Sequence, residues 1–291
     1  GRRRRPDPRV NARRQYPRVA AVARMTPSGI VTITTDFGHK GPFAAVMHGV
    51  ILSRLPSAQV VDLMHDIPAQ WPPEAGFWVS RAYRYFPVGT VHLAIVDPGV
   101  GTERKILLAE VDQHIFMAPD NGLLANFLDA AESPVVIGLD AGRLRALGIG
   151  EPSNTFHGRD IFAPVAALLA SGAVSLAELG DPLSEWIPGW LEEPTAHADT
   201  VAGSIVTIDS FGNLISNIDE AMIRGFEDPA VKIAGRNVSM LSTYGRATPG
   251  EHLALINSFG VVEIACAEGN ASQTLGLGRG APITVSARAS A

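Results

Sequence analysis

A chain of 291 residues, 46% apolar and 18% charged, has the length for one large domain or two modest ones and can bury a sizeable core. Its net charge of −5 is unevenly placed: residues 1–24 hold nine arginines against one acid, Asp7, a balance of +8 that leaves −13 for residues 25–291. An acidic body offers no basic face for nucleic acid, no apolar run approaches the roughly 18 residues of a membrane helix, and the single cysteine, Cys266, excludes an internal disulfide and a thiolate-rich metal site.

The arginine-rich opening segment, residues 1–28 at its widest, reads as disordered. It lacks the apolar stretch of about 7–15 residues that a secretory leader requires. Met25 is a candidate start of the functional protein, and the cytoplasm is the expected compartment.

From there the elements alternate. Residues 30–35, IVTITT, form a strand by composition and end at Asp36-Phe37-Gly38. Pro42 suits the first turn of a helix with Phe43, Val46, Val50 and Ile51 on its apolar face. A strand over 58–64 and a helix over 74–85, with Phe77, Val79, Ala82 and Tyr83 available for packing, precede a buried strand at 91–96. This βαβαβ rhythm predicts a mainly parallel sheet covered by helices. Residues 106–111 and 114–118 flank Asp112-Gln113 as a hairpin, and 123–128 and 162–169 read as helices. The expected organisation is an α/β domain over 29–180, a proline-rich linker over 181–200, and a small all-β domain, barrel or sandwich, over 201–291.

The third strand runs straight into Asp97-Pro98-Gly99-Val100-Gly101, with Arg104 three residues further on. A carboxylate and glycines at the carboxyl end of a buried strand are what a ligand site in an open α/β sheet looks like, and equally what a capped turn with a salt bridge looks like. Asp36 ends the first strand in the same manner, and the alternative for it is a helix cap near Pro42. His157 and Asp160 precede the apolar helix, where an interior histidine is the plainer possibility. The chain has no GxSxG, no Walker loop, no HExxH and no glycine fingerprint after its first strand. His39, His48, His65 and His157 show no metal-ligand spacing, so neither metal nor cofactor is expected. In the second domain Asp209, Asn213 and the NSFG run at 257–260 suit a ribose, a purine edge or an amino-acid head group; they suit hairpin turns as well.

TTDFG (34–38), VDPGVGTER (96–104), APDNGLL (118–124), FHGRDIFAPVAA (156–167), IDSFGNLISNI (208–218) and NSFGVVEIACAEGNASQTLGL (257–277) occur in this order. In them the chain, over roughly residues 29–287, resembles the S-adenosylmethionine (SAM) hydroxide adenosyltransferases. These are adenosine-forming SAM hydrolases related to the SAM-dependent fluorinating and chlorinating enzymes. The resemblance implies a homotrimer of two-domain subunits, with SAM held between the first domain of one subunit and the second domain of the next. It implies Asp97, Arg104 and His157 as the set that positions and activates water, and Asp36 as the carboxylate on the ribose diol. In the halogenating relatives a tyrosine stands at the position of Asp97 and a serine lies beside that of His157. Asp209, Asn213 and Ser258 match residues that grip the methionine part and the adenine, with backbone groups around Ala265 and Ala267 near the base. Phe37, Phe156 and Phe259 complete the implied binding set. Two departures stand out: Ser216 where threonine is common, and the 65–76 loop, where either Trp71 or Gln70 occupies the position of a substrate-packing aromatic. The expected reaction is SAM hydrolysis to adenosine and L-methionine. A SAM halogenase and a SAM or adenosine binder without turnover are the alternatives.

Overall fold

The structure, a computed structural model, describes residues 25–287; the arginine-rich segment expected to be disordered lies outside these residues up to Arg24. Residues up to Gln70 together with Tyr83–Ile187 make one compact unit, and Trp71–Ala82 with the chain from Pro188 onward make a second.

The first unit is built on a seven-stranded sheet of β1 (Ile30–Thr35), β2 (Gln59–Met64), β3 (Val91–Ile95), β4 (Ile106–Val111), β5 (His114–Pro119), β6 (Val135–Leu139) and β7 (Gly180–Pro182), in the order β2-β1-β3-β5-β4-β6-β7. The pairs β1–β2, β1–β3 and β3–β5 are parallel, whereas β4–β5, β4–β6 and β6–β7 are antiparallel. The sheet is therefore mixed, not mainly parallel as the alternation suggested. The cause is local. Asp112 and Gln113 both take positive φ, 50° and 62°, and a two-residue turn of that kind returns the chain antiparallel. Beyond β4, strands β6 and β7 add in alternating directions, so that β4 and β7 run opposite to β1, β3, β5 and β6.

Strand β3 is buried at every position, as a central strand covered on both faces must be. Its side chains pack with Val31, Ile33, Met47, Phe162 and Val165, each worth about 1.5–3 kcal/mol of burial. Helix Phe43–Arg54 turns Met47 and Ile51 inward, while Phe43, read above as a core position, is 47% exposed. A π-helical turn, Gly158–Phe162, leads into helix Ala163–Ala170, which carries a proline in its first turn.

The second unit holds β8 (Thr195–His197), β9 (Thr200–Ile208), β10 (Leu214–Asp219), β11 (Ala230–Ile233), β12 (Arg236–Ser239), β13 (His252–Ile256), β14 (Val261–Cys266) and β15 (Pro282–Ser286). They form one antiparallel sheet in the order β12-β11-β15-β9-β10-β14-β13, with β8 on β9. Just past β12, Met240 bridges Ala254 of β13 and Leu241 N–H donates to the Ala254 carbonyl. The two ends of the sheet thus nearly close on each other.

Helices accompany this sheet, in contrast to the all-β expectation: Pro72–Ala82, Glu220–Ile223 and Ala271–Leu275. The first was read as part of the βαβαβ run. It belongs here because Glu74, 5% exposed, accepts from Thr207 Oγ1 at 2.7 Å and Arg279 Nε at 2.6 Å, while Phe77 packs with Val206, Ile215 and Val261. Just before the stretch read as a linker, helix Leu176–Leu179 starts at a Ser175–Glu178 capping box; within 181–200, β7 reaches Pro182 and β8 pairs with β9. No helix among the described residues is long and apolar enough to cross a membrane.

Candidate active site

Strands β1 and β3 run parallel with Thr35 opposite Ile95, so Asp36 and Asp97 leave the sheet at the same, carboxyl edge. Both strand ends are pinned. Asn121 Nδ2 donates to the Val96 carbonyl at 2.8 Å. Phe37 N–H donates to Thr35 Oγ1 at 3.2 Å, Thr35 Oγ1 lies 2.8 Å from His65 Nδ1, and Gly38 N–H donates to the His65 carbonyl at 2.9 Å. Asn121 lies in the APDNGLL stretch that carries the resemblance, but no role was assigned to it from the sequence.

The run after β3 folds back on itself. Val100 N–H bonds the Asp97 carbonyl and Thr102 N–H the Gly99 carbonyl, which carries Arg104 back to Asp97. Arg104 Nε donates to both Asp97 oxygens at 2.9 Å, and Nη2 donates to Oδ2 as well. The pair is shielded, with side chains 6% and 11% exposed. Such a fork holds a carboxylate plane in one orientation. The same Nη2 donates to His157 Nδ1 at 2.9 Å, so Arg104 bridges the two. Gly101 makes this approach possible: its φ is +79°, and a Cβ there would lie 2.1 Å from the Asn154 carbonyl oxygen.

His157 is buried, and its pKa is pushed down, first by desolvation and then by the Arg104 charge. It is neutral at pH 7. With Nδ1 accepting from an arginine, which has no acceptor to offer, the ring proton sits on Nε2; a bond to the Ser153 backbone acts on the ring as well. Ser153 is itself held by Asp160, whose Oδ2 accepts from Ser153 N–H at 2.9 Å and Oγ at 2.5 Å. Arg159, donating to Asp160, brings that carboxyl down to about 2.

Asp36 does not cap the neighbouring helix, whose N-cap is Pro42 without a side-chain bond. Its Oδ2 accepts instead from Gln70 N–H at 3.0 Å, with Gln70 at φ 61°. Phe37, Phe43 and Phe156 form an edge-to-face trio with centroids 5.5–6.0 Å apart. Phe156 directly precedes His157, so Asp36, Phe37, Asp97, Arg104, Phe156 and His157 converge on one edge of the sheet.

Within the second unit the implied residues fall into two groups. Asp209 and Asn213 close the β9–β10 turn on each other: Asn213 N–H and Nδ2 donate to the Asp209 carboxylate at 2.9 and 3.0 Å. Leu214 pairs with Ile264, which puts this turn beside Ala265 and Ala267. Ala267 N–H and carbonyl bond Glu251 and Gly250. Ser258 and Phe259 occupy the β13–β14 turn at the other end of the six-residue strand β14, roughly 17 Å away at about 3.4 Å per strand residue. Asn257 shapes that turn, accepting from Phe259 N–H at 3.0 Å and donating to buried Glu263 at 3.1 Å. Tyr244 O–H also donates to Glu263 (2.6 Å). Of the two residues contending for the aromatic position, Gln70 lies against Asp36, whereas the Trp71 ring packs on Trp190 with centroids 5.9 Å apart.

A two-unit α/β protein with an Asp–Arg–His chain at the carboxyl edge of a parallel strand pair is the class these features define. Residues 31–180 match the SAM hydroxide adenosyltransferase N-terminal domain and residues 203–284 the C-terminal domain of the same name; the chain belongs to this family. It is 36% identical over 257 residues to a protein named (R)-S-adenosyl-L-methionine hydrolase from Thermus thermophilus, covering 87% of this chain and 98% of that one. A crystal structure of an uncharacterized conserved protein from Thermotoga maritima superposes with a TM-score of 0.80 at 32% identity, covering 88% of this chain and 99% of the other. A fluorinase from an Actinoplanes species is more distant, 27% identical over 217 residues, 65% of this chain and 71% of that protein.

Proposed function

We propose that the protein hydrolyses S-adenosyl-L-methionine to adenosine and L-methionine by in-line attack of water on C5′ of the ribose. The observation that carries this reading is the shielded Asp97–Arg104–His157 chain, present in a member of a family whose relatives bear the hydrolase name. The sulfonium makes methionine an excellent leaving group. The water oxygen forms the new bond to C5′, the C–S bond breaks with its electron pair passing to the thioether, and no covalent enzyme intermediate is required. Holding water and C5′ in line supplies much of the rate, since effective molarities for oriented reactants reach about 10⁵ M or more.

Water is a weak nucleophile and must shed a proton as it attacks. Asp97 is the favoured acceptor. Its carboxylate has lone pairs beyond those taken by Arg104, whereas the His157 Nδ1 lone pair already receives Arg104. His157 then serves by fixing the guanidinium, and Arg104 by orienting the carboxylate and stabilising developing negative charge. Asp36 takes the ribose diol, with Phe37 and Phe156 beside it. Asp209, Asn213, Ala265 and Ala267 take the adenine end and Ser258 with Phe259 the methionine end; an extended SAM molecule suits two groups so far apart. The working form is a cytoplasmic homotrimer in which different subunits complete one site, a reading supported by the division of these residues between two units and by the resemblance. A halogenase reading is disfavoured, because a carboxylate at Asp97 repels a halide in a shielded site.

The test is to incubate purified protein with the R and S sulfonium epimers of SAM, with and without chloride or fluoride, and resolve the products. Adenosine and methionine in equal amounts, independent of halide, are expected. A halonucleoside, or unchanged SAM of both epimers, overturns the reading. Sedimentation of an active species as monomer removes the trimer from it.

A further inference from the structure

The first unit contains a cavity of about 740 Å³, remote from the candidate active site. Ile115, the second residue of β5, is paired with Val91 at the start of β3. It lines the cavity together with Met25 and Pro27, which precede β1. The cavity therefore opens at the amino ends of the parallel strands, opposite the edge that carries Asp36 and Asp97. Its volume falls in the range of small-molecule sites, about 300–1,000 Å³, and Val135, Ile137, Leu169 and Val174 make much of its wall apolar.

Four charged side chains line it: Glu110, Arg143, Glu178 and Asp181. Three of them are engaged. Arg143 donates to the Ala177 and Gly180 carbonyls at 2.9 and 2.7 Å and to Asp181. Glu178 accepts from Ser175 N–H and Oγ at 2.8 and 2.7 Å. Glu110 has no hydrogen-bond or ionic partner among the described residues. Its cross-strand neighbours are Ile115 on β5 and Val135 on β6, and burial pushes its carboxyl pKa up. A half-buried carboxylate between two apolar neighbours is a costly arrangement without a partner. The missing partner is a cation or strong donor attached to an apolar body.

We propose that this cavity is a binding site for a small amphipathic amine, its ammonium on Glu110 and its hydrocarbon part against Val135, Ile137, Leu169 and Val174. The charge complementarity sets the head group and the apolar wall sets the rest. The site is independent of the SAM chemistry.

The probe is n-octylamine, with n-octanol and n-octanoate as controls of matched length, titrated calorimetrically into the full chain. Octylamine is expected to bind at least about 10-fold tighter than either control, the scale of one charge-assisted bond. Glu110→Gln, which keeps the side-chain shape, is expected to erase that preference, and Val174→Phe, which fills the cavity and leaves Glu110 in place, to weaken all three probes. An unchanged circular dichroism spectrum and melting temperature show that each variant is folded. Equal binding of the three probes, or none, overturns the proposal. So does octylamine binding seen only after residues 1–24 are deleted, which makes that segment the occupant, or binding coupled to subunit dissociation, which makes it a second copy.

Discussion

Arg104 Nη2 touches two residues at once, the carboxylate of Asp97 and Nδ1 of His157, the latter at 2.9 Å. One guanidinium thus fixes a carboxylate delivered by a strand and an imidazole delivered by a π-helical turn 53 residues further on. The bridge has a testable consequence. Arg104→Lys keeps the charge and loses the fork, since an ammonium cannot reproduce a planar bidentate contact. Turnover is expected to fall roughly 10²-fold, as for Asp97→Asn, in the range of a lost acid–base group. SAM affinity by calorimetry should change little. Loss of binding with turnover of the bound fraction intact assigns the trio to substrate holding instead.

The loop contact beneath that bridge is equally specific. Ala at position 101 places its Cβ 2.1 Å from the Asn154 carbonyl oxygen, on a backbone with φ +79°. The strain is about 1–3 kcal/mol, and relief requires the two loops to separate. Gly101→Ala is expected to lower kcat at least about 10-fold, the effect of a small misplacement of reacting groups, with a modest fall in Tm. Wild-type kcat in this variant rules out a tight contact between the loops.

For Asp36 the measurement is a comparison of two ligands. Its Oδ2 accepts from Gln70 N–H, which leaves Oδ1 available to a ribose hydroxyl. Asp36→Ala should weaken SAM binding sharply and weaken the 2′-deoxyadenosyl analogue much less. Equal losses with both ligands mean that Asp36 merely holds the Gln70 turn.

The lowered pKa of His157 sets the acid limb of activity. The neutral ring is the form that accepts from Arg104, and a depressed pKa keeps it neutral as pH falls through the ordinary histidine range near 6.5. The midpoint of the acid limb of kcat should therefore lie below pH 6.5. A limb centred at or above 6.5 contradicts a buried, arginine-facing imidazole.

His92 governs stability, not turnover. It is 1% exposed, lies 2.8 Å from Thr32 Oγ1 and 3.0 Å from His114 Nδ1, and has its pKa lowered to about 3 by burial and by His114. Between about 3 and 6.5 the unfolded chain binds a proton that the folded chain refuses. Stability should thus fall as pH is lowered through that window, with a limiting slope of about 1.4 kcal/mol per pH unit from this group. Denaturant midpoints at pH 7, 6 and 5 test this. His92→Phe should flatten the slope, and an identical slope in the variant removes His92 as its source.

Much of this protein is legible along the chain, because local chemistry writes it there. Residues 30–35 and 91–95 are strands because β-branched and apolar side chains fill a doubly covered sheet, and Asp36 and Asp97 end them because turn residues cannot continue the ladder. The pairing of Asp97 with Arg104 is also local, a consequence of a glycine-rich turn seven residues wide. What only the tertiary structure decided is long-range. The hairpin at Asp112-Gln113 was legible, but the antiparallel addition of β6 and β7 beyond β4, which makes the sheet mixed, was not. Glu74, with its bonds to Thr207 and Arg279, drew helix Pro72–Ala82 into the second unit. The approach of His157 to Arg104 depends on Gly101 and Asn154 meeting in space, and Glu110 became informative only when Ile115 and Val135 were seen on either side of it. Hydrophobic periodicity records how each segment meets a core, but carries no record of which distant polar group will answer it.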